Sequence, residues 1–224
     1  MVDFQESKTK ENLARSFVAE CLEGARYQFM AKMALNQDFQ YLSYLLRTLA
    51  KNEMSHAQQF FCKINELGNG EVNNIDIHAG YPFKGGEIVD TLLLESQNEK
   101  NSGENVYPAF ARIASDEGFK EVAELFDMIA KVELSHQKIL EQLHSEFEAK
   151  RLYKAKSPKV FKCDMCGYTT KAKQAPKTCP LCKLKQGCFR IDVTIDDDSQ
   201  INCNCKEETT NNNDCICPPK KCKC

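Results

Sequence analysis

Glu53-Met-Ser-His56 and Glu133-Leu-Ser-His136 lie 80 positions apart in this chain. Each sets a carboxylate and an imidazole three residues apart, which on a helix puts both on one face. Two Glu-x-x-His pairs on two helices are the donor set of a carboxylate-bridged dinuclear metal site inside a four-helix bundle. Single matches to Glu-x-x-His are common by chance. Here both copies are in phase with the apolar residues around them, and Glu20 falls on an apolar stripe in the same way. Isolated buried charges are costly, so Glu20, Glu53, His56, Glu133 and His136 are expected to neutralise one another around metal ions. Imidazole with carboxylate suits iron or manganese. Tyr27 lies two turns from Glu20 on the same face, within reach of the site, although a core tyrosine has the same pattern.

A second constellation follows. Cys163-x-x-Cys166 and Cys179-x-x-Cys182, with twelve residues between the pairs, specify a tetrahedral four-sulfur site for zinc or a single iron. Zinc would make the module a structural ribbon; iron would make it a one-electron carrier tuned by hydrogen bonds to its sulfurs. Gly167 lets backbone N–H groups approach the sulfurs. The last residues add Cys203-x-Cys205, Cys215-x-Cys217 and Cys222-x-Cys224. With their lysines they read either as a metal-scavenging thiolate tract or as an extension with incidental thiols, and Cys188 falls under the same two readings.

The elements that must position these groups are helical. Three- and four-residue spacing of apolar residues predicts helices over about Lys8 to Asn36, Asp38 to Leu67, Glu87 to Asp116 and Phe119 to Tyr153. Gly68 and Gly118 punctuate them, and Pro108 is expected to kink or restart the third. Matching signatures on the second and fourth helices make the bundle two related hairpins. The expected organisation is a bundle over residues 1–149, an exposed basic linker at 150–159, a small Cys-rich module at 160–195 that needs metal to fold, and a disordered tail at 196–224. One ligand is absent from the pattern. By the internal repeat the third helix should carry a Glu near residue 102, where Ser102 and Asn105 take the expected inward positions. Glu99 lies one turn earlier on the stripe, and Glu104 is displaced around the helix unless Gly103 loosens it.

Composition narrows the function classes. A net charge of −2 over 224 residues leaves no basic footprint for nucleic acid. No stretch of apolar residues is long enough to span a membrane, and the polar first residues do not read as a secretory signal. Thirteen cysteines, six of them in the last 22 residues, suit metal thiolates in a reducing cytoplasm better than a disulfide framework.

The motifs together resemble a rubrerythrin. Glu20 with Tyr27, Glu53-x-x-His56-Ala57, Tyr107-Pro108-x-Phe110-Ala111-Arg112-Ile113-Ala114, Glu133-x-x-His136 and the four-cysteine module follow in that family's order. The resemblance implies a mainly α fold, a ferritin-like four-helix bundle followed by a rubredoxin-like FeCys4 module. It implies a non-haem di-iron peroxidase that reduces hydrogen peroxide to water in oxidative-stress defence. Its implied partners are an electron-donor protein, either an NAD(P)H-linked reductase or a rubredoxin, and a second copy in a head-to-tail dimer. Rubrerythrins normally carry two Glu three residues apart just before the Tyr-Pro, aligned here with Ser102 and Asn105. Their loss implies an iron that stays on His56 in both oxidation states and a slowed or lost peroxide turnover. It keeps open two other functions: a ferritin-like iron oxidase, and a redox sensor or electron carrier with an impaired di-iron site.

Overall fold

The computed structural model describes residues 2–72 and 74–193, so the Cys-x-Cys tail lies outside the described residues. The chain runs through α1 (Lys8–Asn36), α2 (Gln40–Leu67), α3 (Ile88–Asn101), a π-helical turn (Ser102–Val106), α4 (Tyr107–Glu117) and α5 (Lys120–Glu148). The Ser7 side chain accepts from the Lys10 N–H to cap α1. The Glu117 carboxylate accepts from the Lys8 and Thr9 N–H groups and the Thr9 hydroxyl, tying the start of α1 to the end of α4. Gly118, with φ of 93°, ends α4 in the left-handed conformation that glycine adopts without strain.

Pro108 restarts the third helix as its chemistry requires. Proline cannot donate to the carbonyl four residues back, and it sits in the first turn of α4, where that donor is dispensable. Just before it, the Tyr107 N–H reaches five residues back to the Ser102 carbonyl, closing the π turn. Gly103 is buried there because the turn lies against α5. A Cβ at that position would come 2.7 Å from Leu134 Cγ and 2.8 Å from the Ala130 carbonyl oxygen.

Two apolar clusters fill the bundle. One gathers Leu13, Phe60, Tyr107 and Phe126; the other gathers Tyr27, Leu42, Leu46 and Leu140. Along α2 the second cluster holds residues up to Ala50 and the first resumes at Phe60; along α5 the order is reversed, the first ending at Ala130 and the second starting at Ile139. Both Glu-x-x-His pairs fall in the gap between the clusters.

The C-terminal module is built on an antiparallel pair, β1 (Lys154–Lys162) and β2 (Thr169–Gln174). The basic stretch 150–159 is therefore not a free linker from end to end. Its backbone pairs with β2 at Lys154 and again from Lys159; Lys154 and Lys156 are exposed, Lys159 is half-buried and pairs with Asp192, and Tyr153 is buried. The charges that suggested a linker occupy the wet face of a ribbon. Helix α5 ends at Glu148, before the expected Tyr153. The module docks on the α1–α2 turn. Phe39 packs edge-on against Phe147 and stacks on Tyr153 at a centroid distance of 6.5 Å. Lys185 pairs with Asp38, and the Gly187 backbone lies so close to Asp38 that no side chain fits there. Phe161, Phe189 and Ile191 thereby join the bundle's second apolar cluster, so the module's core is not built from its own side chains alone.

Candidate metal centres

Four carboxylates from four helical segments are fully buried: Glu20 on α1, Glu53 on α2, Glu99 on α3 and Glu133 on α5, each with 0% exposure. They form two overlapping sets with the histidines. Glu20, Glu53, His56 and Glu133 offer donor atoms within 4.8 Å of one another, and so do Glu53, Glu99, Glu133 and His136. Glu53 and Glu133 belong to both, which is the arrangement of bridging carboxylates between two ions.

The fit to metal rests on what the buried atoms lack. His56 Nδ1 faces Glu53 Oε2 at 3.0 Å, Glu133 Oε1 at 3.1 Å and Glu20 Oε2 at 3.2 Å, three acceptors around a nitrogen that carries at most one hydrogen. His136 Nδ1 lies 2.9 Å from Glu53 Oε1 and 3.3 Å from Glu133 Oε2. Glu53 Oε1, Glu99 Oε2 and both oxygens of Glu133 make no well-aligned hydrogen bond among the described residues. Buried acceptors without donors are costly; two divalent cations would satisfy all of them. The Asn52 side-chain amide lies 3.3 Å from His136 Nε2, a contact that orients the ring with Nδ1 inward.

Two tyrosines complete the set symmetrically. The Tyr27 hydroxyl donates to Glu99 Oε1, and the Tyr107 hydroxyl donates to Glu20 Oε1. Each carboxylate that belongs to one set only is thus held by a tyrosine from across the bundle.

Electrostatics without metal reflect the crowding. Burial, with the neighbouring Glu133 and Glu53 charges, pushes Glu20 up to about 8 against the pull of His56. Burial and nearby carboxylates raise Glu23 and Glu99 well above the usual carboxylate range. Burial works against the charged histidines, yet contacts with Glu133, Glu20 and Glu53 push His56 up to about 12, and Glu133 and Glu53 push His136 up to about 9. Burial disfavours the Glu133 carboxylate too, but His136, His56 and Glu99 hold it below the usual range.

The sequence left Glu99 and Glu104 as alternatives, and the structure separates them. Glu99 is in the cluster; Glu104 and Asn105 are exposed and Ser102 is half-buried. Asn105 is therefore not an inward position, and Gly103 serves close packing rather than a rotation of Glu104 inward. The missing-ligand expectation is corrected accordingly. The pair of positions three residues apart on this helix is Glu99 and Ser102, so one carboxylate is present and one is replaced by a serine. A signal for this was available. Tyr27 and Tyr107 are 80 residues apart, like Glu53 and Glu133, whereas Glu20 and Glu99 are 79 apart. The one-residue difference falls across the π turn, which spends an extra residue in its wider loop. The Tyr107 hydroxyl holds Glu20, and Glu23 is buried on the same helix one turn on, neither of which the sequence alone indicated.

The four-cysteine site is equally well formed. Cys163 and Cys182 Sγ are 3.7 Å apart, and Cys166 and Cys179 Sγ are 3.6 Å apart. A tetrahedron with metal–sulfur bonds of about 2.3 Å has edges of about 3.8 Å, so the spacing fits one ion. Both knuckles turn alike. Gly167 with φ of 75° and Lys183 with φ of 63° follow Cys166 and Cys182, and their N–H groups return to the Cys163 and Cys179 carbonyls. Backbone N–H groups of Leu181 and Cys182 point at Cys179, which against its burial is brought down to about 6. A fifth thiol, Cys188, is buried 3.4 Å from Cys163 Sγ. Among the described residues no helix is long and apolar enough to cross a membrane.

Comparison with known proteins agrees with both sites. The family model described as Rubrerythrin matches residues 11–143 and 91–175, and the model of the rubrerythrin rubredoxin-like domain matches residues 161–190. Rubrerythrin-1 of Clostridium acetobutylicum is 35% identical over 191 residues, 85% of this chain and 97% of that protein. Rubrerythrin of Clostridium perfringens is 32% identical, again over 85% of this chain and 97% of its own length. Among solved structures, partially reduced nigerythrin superposes with a TM-score of 0.54 at 22% identity, covering 86% of this chain and 94% of that one. A Desulfovibrio desulfuricans bacterioferritin, whose structure is described by its diiron site, superposes at 0.53 and 24% identity over 63% of this chain and 81% of its own. At those identities the two structures speak for the ferritin-like fold alone.

Proposed function

The chain belongs to the rubrerythrin family, and from that premise we propose that it is a peroxidase that reduces hydrogen peroxide to water. The observation that carries the proposal is the coexistence, in one chain, of two buried Glu/His sets sharing Glu53 and Glu133 and a four-cysteine site of single-ion size. Iron storage alone has no use for the second site. The residues assigned to the dinuclear centre are Glu20, Glu53, His56, Glu99, Glu133 and His136; those assigned to a single iron are Cys163, Cys166, Cys179 and Cys182.

Reduction of one peroxide to two waters consumes two electrons and two protons. Iron bound at the two sites would supply the redox chemistry, two electrons at the dinuclear site and single electrons at the four-cysteine site. The protein's part is positional. Glu53 and Glu133 would hold the pair together, and His56 and His136 would each offer Nδ1 to one ion. Tyr27 and Tyr107 lock the terminal carboxylates Glu99 and Glu20 by charge-assisted hydrogen bonds. Phe60 and Phe126, packed on Tyr107, keep bulk water from one end. A cavity of about 350 Å³ lies between α1 and the π turn, walled by Glu23, Ser102 and Tyr107.

The module docks at Asp38, fifteen residues from Glu53 along α2, or about 22 Å at 1.5 Å per residue. That span favours electron delivery from the module of a second copy arranged head-to-tail. The electrons themselves would come from a soluble donor protein linked to NAD(P)H, in the cytoplasm. The test is anaerobic: reduce the iron-loaded protein, add one equivalent of peroxide, and follow ferric-thiolate absorbance with metal analysis. Rapid return of colour with about three irons per chain supports the relay. Iron near one per chain, or colour that returns no faster than with air, refutes it.

A further inference from the structure

The dinuclear site has a carboxylate too many on α1 and one too few on the π turn. Glu23 lies one turn beyond Glu20, three residues on, as Ser102 lies three residues beyond Glu99. The two positions are equivalents in the internal repeat. They also face the same cavity between α1 and the π turn, together with Tyr107. Glu23 is only 6% exposed, and its Oε2 has no donor among the described residues. Its one ion-pair contact is long, 3.6 Å from Oε1 to Arg26 Nη2, and Arg26 is shared with Glu95 at 3.2 Å and with the Pro82 carbonyl. A carboxylate buried this deeply with a free oxygen, beside three other buried acids, is not placed for stability.

We propose that Glu23 is a further carboxylate ligand of the dinuclear centre, supplied from α1 at the repeat position opposite Ser102, where the chain offers only a hydroxyl. This rests on the dinuclear reading above. Four carboxylates already balance two divalent ions, so a fifth adds a negative charge, and Arg26 stands beside Glu23 to offset it. Because Glu23 lies outside both four-residue sets in the metal-free structure, it reaches the ions by a change of side-chain rotamer, and the cavity gives it the room.

The test uses the full-length, metal-free chain titrated anaerobically with Co2+. Cobalt on four sulfurs has intense charge-transfer bands, while cobalt on carboxylate and imidazole has weak d–d bands that strengthen as coordination number falls. The Glu23→Gln variant is expected to bind one of the two non-sulfur equivalents at least about tenfold more weakly, with stronger d–d absorbance for that ion. Adding Ser102→Glu to Glu23→Gln should restore affinity and spectrum by supplying the carboxylate from the opposite wall. Wild-type affinity and spectrum in Glu23→Gln overturn the proposal. So does a lower melting temperature with an unchanged cobalt spectrum, the signature of a partner for Arg26 and nothing more. If the wild-type protein takes up only the four-sulfur equivalent, the dinuclear reading itself has failed, and the Glu23 proposal falls with it.

Discussion

Replacing Glu99 by Gln tests the reassignment of the third-helix ligand. Glu99 is the one carboxylate in the His136 set that the His56 set does not share. Two divalent ions against Glu20, Glu53, Glu99 and Glu133 sum to zero charge; without Glu99 a net positive charge is left buried. Breaking a buried charge pair costs about 3–5 kcal/mol. At 1.36 kcal/mol per factor of ten, the lower bound is an affinity loss of roughly 150-fold for one ion. The metal-free protein should hardly notice. Its Glu99 is held well above the usual carboxylate range by burial and by Glu133 and Glu53, so Gln replaces a neutral group of the same shape and still accepts from Tyr27. Stability should change by about 1 kcal/mol or less. Calorimetric titration with Mn2+ or Fe2+ in buffers of different protonation enthalpy reads both effects, and Glu99→Gln should release one proton fewer on loading. Glu104→Gln, on an exposed side chain, serves as the comparison. Two ions bound with wild-type affinity in Glu99→Gln, or the loss appearing in Glu104→Gln instead, would refute the reasoning.

The two tyrosines should behave as a matched pair: Tyr27→Phe and Tyr107→Phe each remove one hydrogen bond to a carboxylate, about 1.5–3 kcal/mol, and each should weaken a different ion by roughly tenfold or more, seen as loss of one step in a metal titration. Metal-free protein should lose thermal stability as pH rises from 6 to 9. Glu20, raised from 4.5 to about 8, and His136, raised from 6.5 to about 9, both bind more protons folded than unfolded in that window. Metal-loaded protein should be flat over the same range, and a metal-free profile that is flat or rising in differential scanning fluorimetry contradicts the buried-cluster picture. Gly103→Ala forces a methyl against Leu134 and the Ala130 carbonyl, so it should push the π turn off α5 and lower metal occupancy, measured by elemental analysis, while far-ultraviolet circular dichroism stays helical.

What the sequence revealed and what it hid divide along physical lines. The helices were legible because their apolar stripes recur at the period of an α-helix. The Glu-x-x-His pairs were legible because charge on such a stripe has no cheap explanation. The four-cysteine site needed only spacing. The basic run before it was misread for the opposite reason: Lys154, Lys156 and Lys159 lie on an edge ribbon whose pairing is made by backbone groups, and backbone pairing leaves little trace in side-chain polarity. Glu23 escaped notice because one charged residue beside Glu20 and Arg26 looks like a solvated helix turn. Only its burial says otherwise.

The third-helix error has a single cause, and it explains more than the error. Counting by 80 from Glu20 reaches Lys100, one residue past Glu99. The π turn absorbs one residue between Glu99 and Tyr107, so the repeat is exact at Tyr107 and displaced by one at Glu99. Pro108 contributes, since it withdraws the N–H that would bond Glu104 in α geometry, and Gly103 lets the widened loop lie flat on α5. The consequence is that Glu99 and Tyr107, eight residues apart, present to the site the same pair of groups that Glu20 and Tyr27 present from seven. Two half-sites of unlike backbone thereby become alike in their donors, with each tyrosine holding the other half's glutamate. The remaining asymmetry is Glu23 against Ser102. It lies on the wall of the cavity between α1 and the π turn.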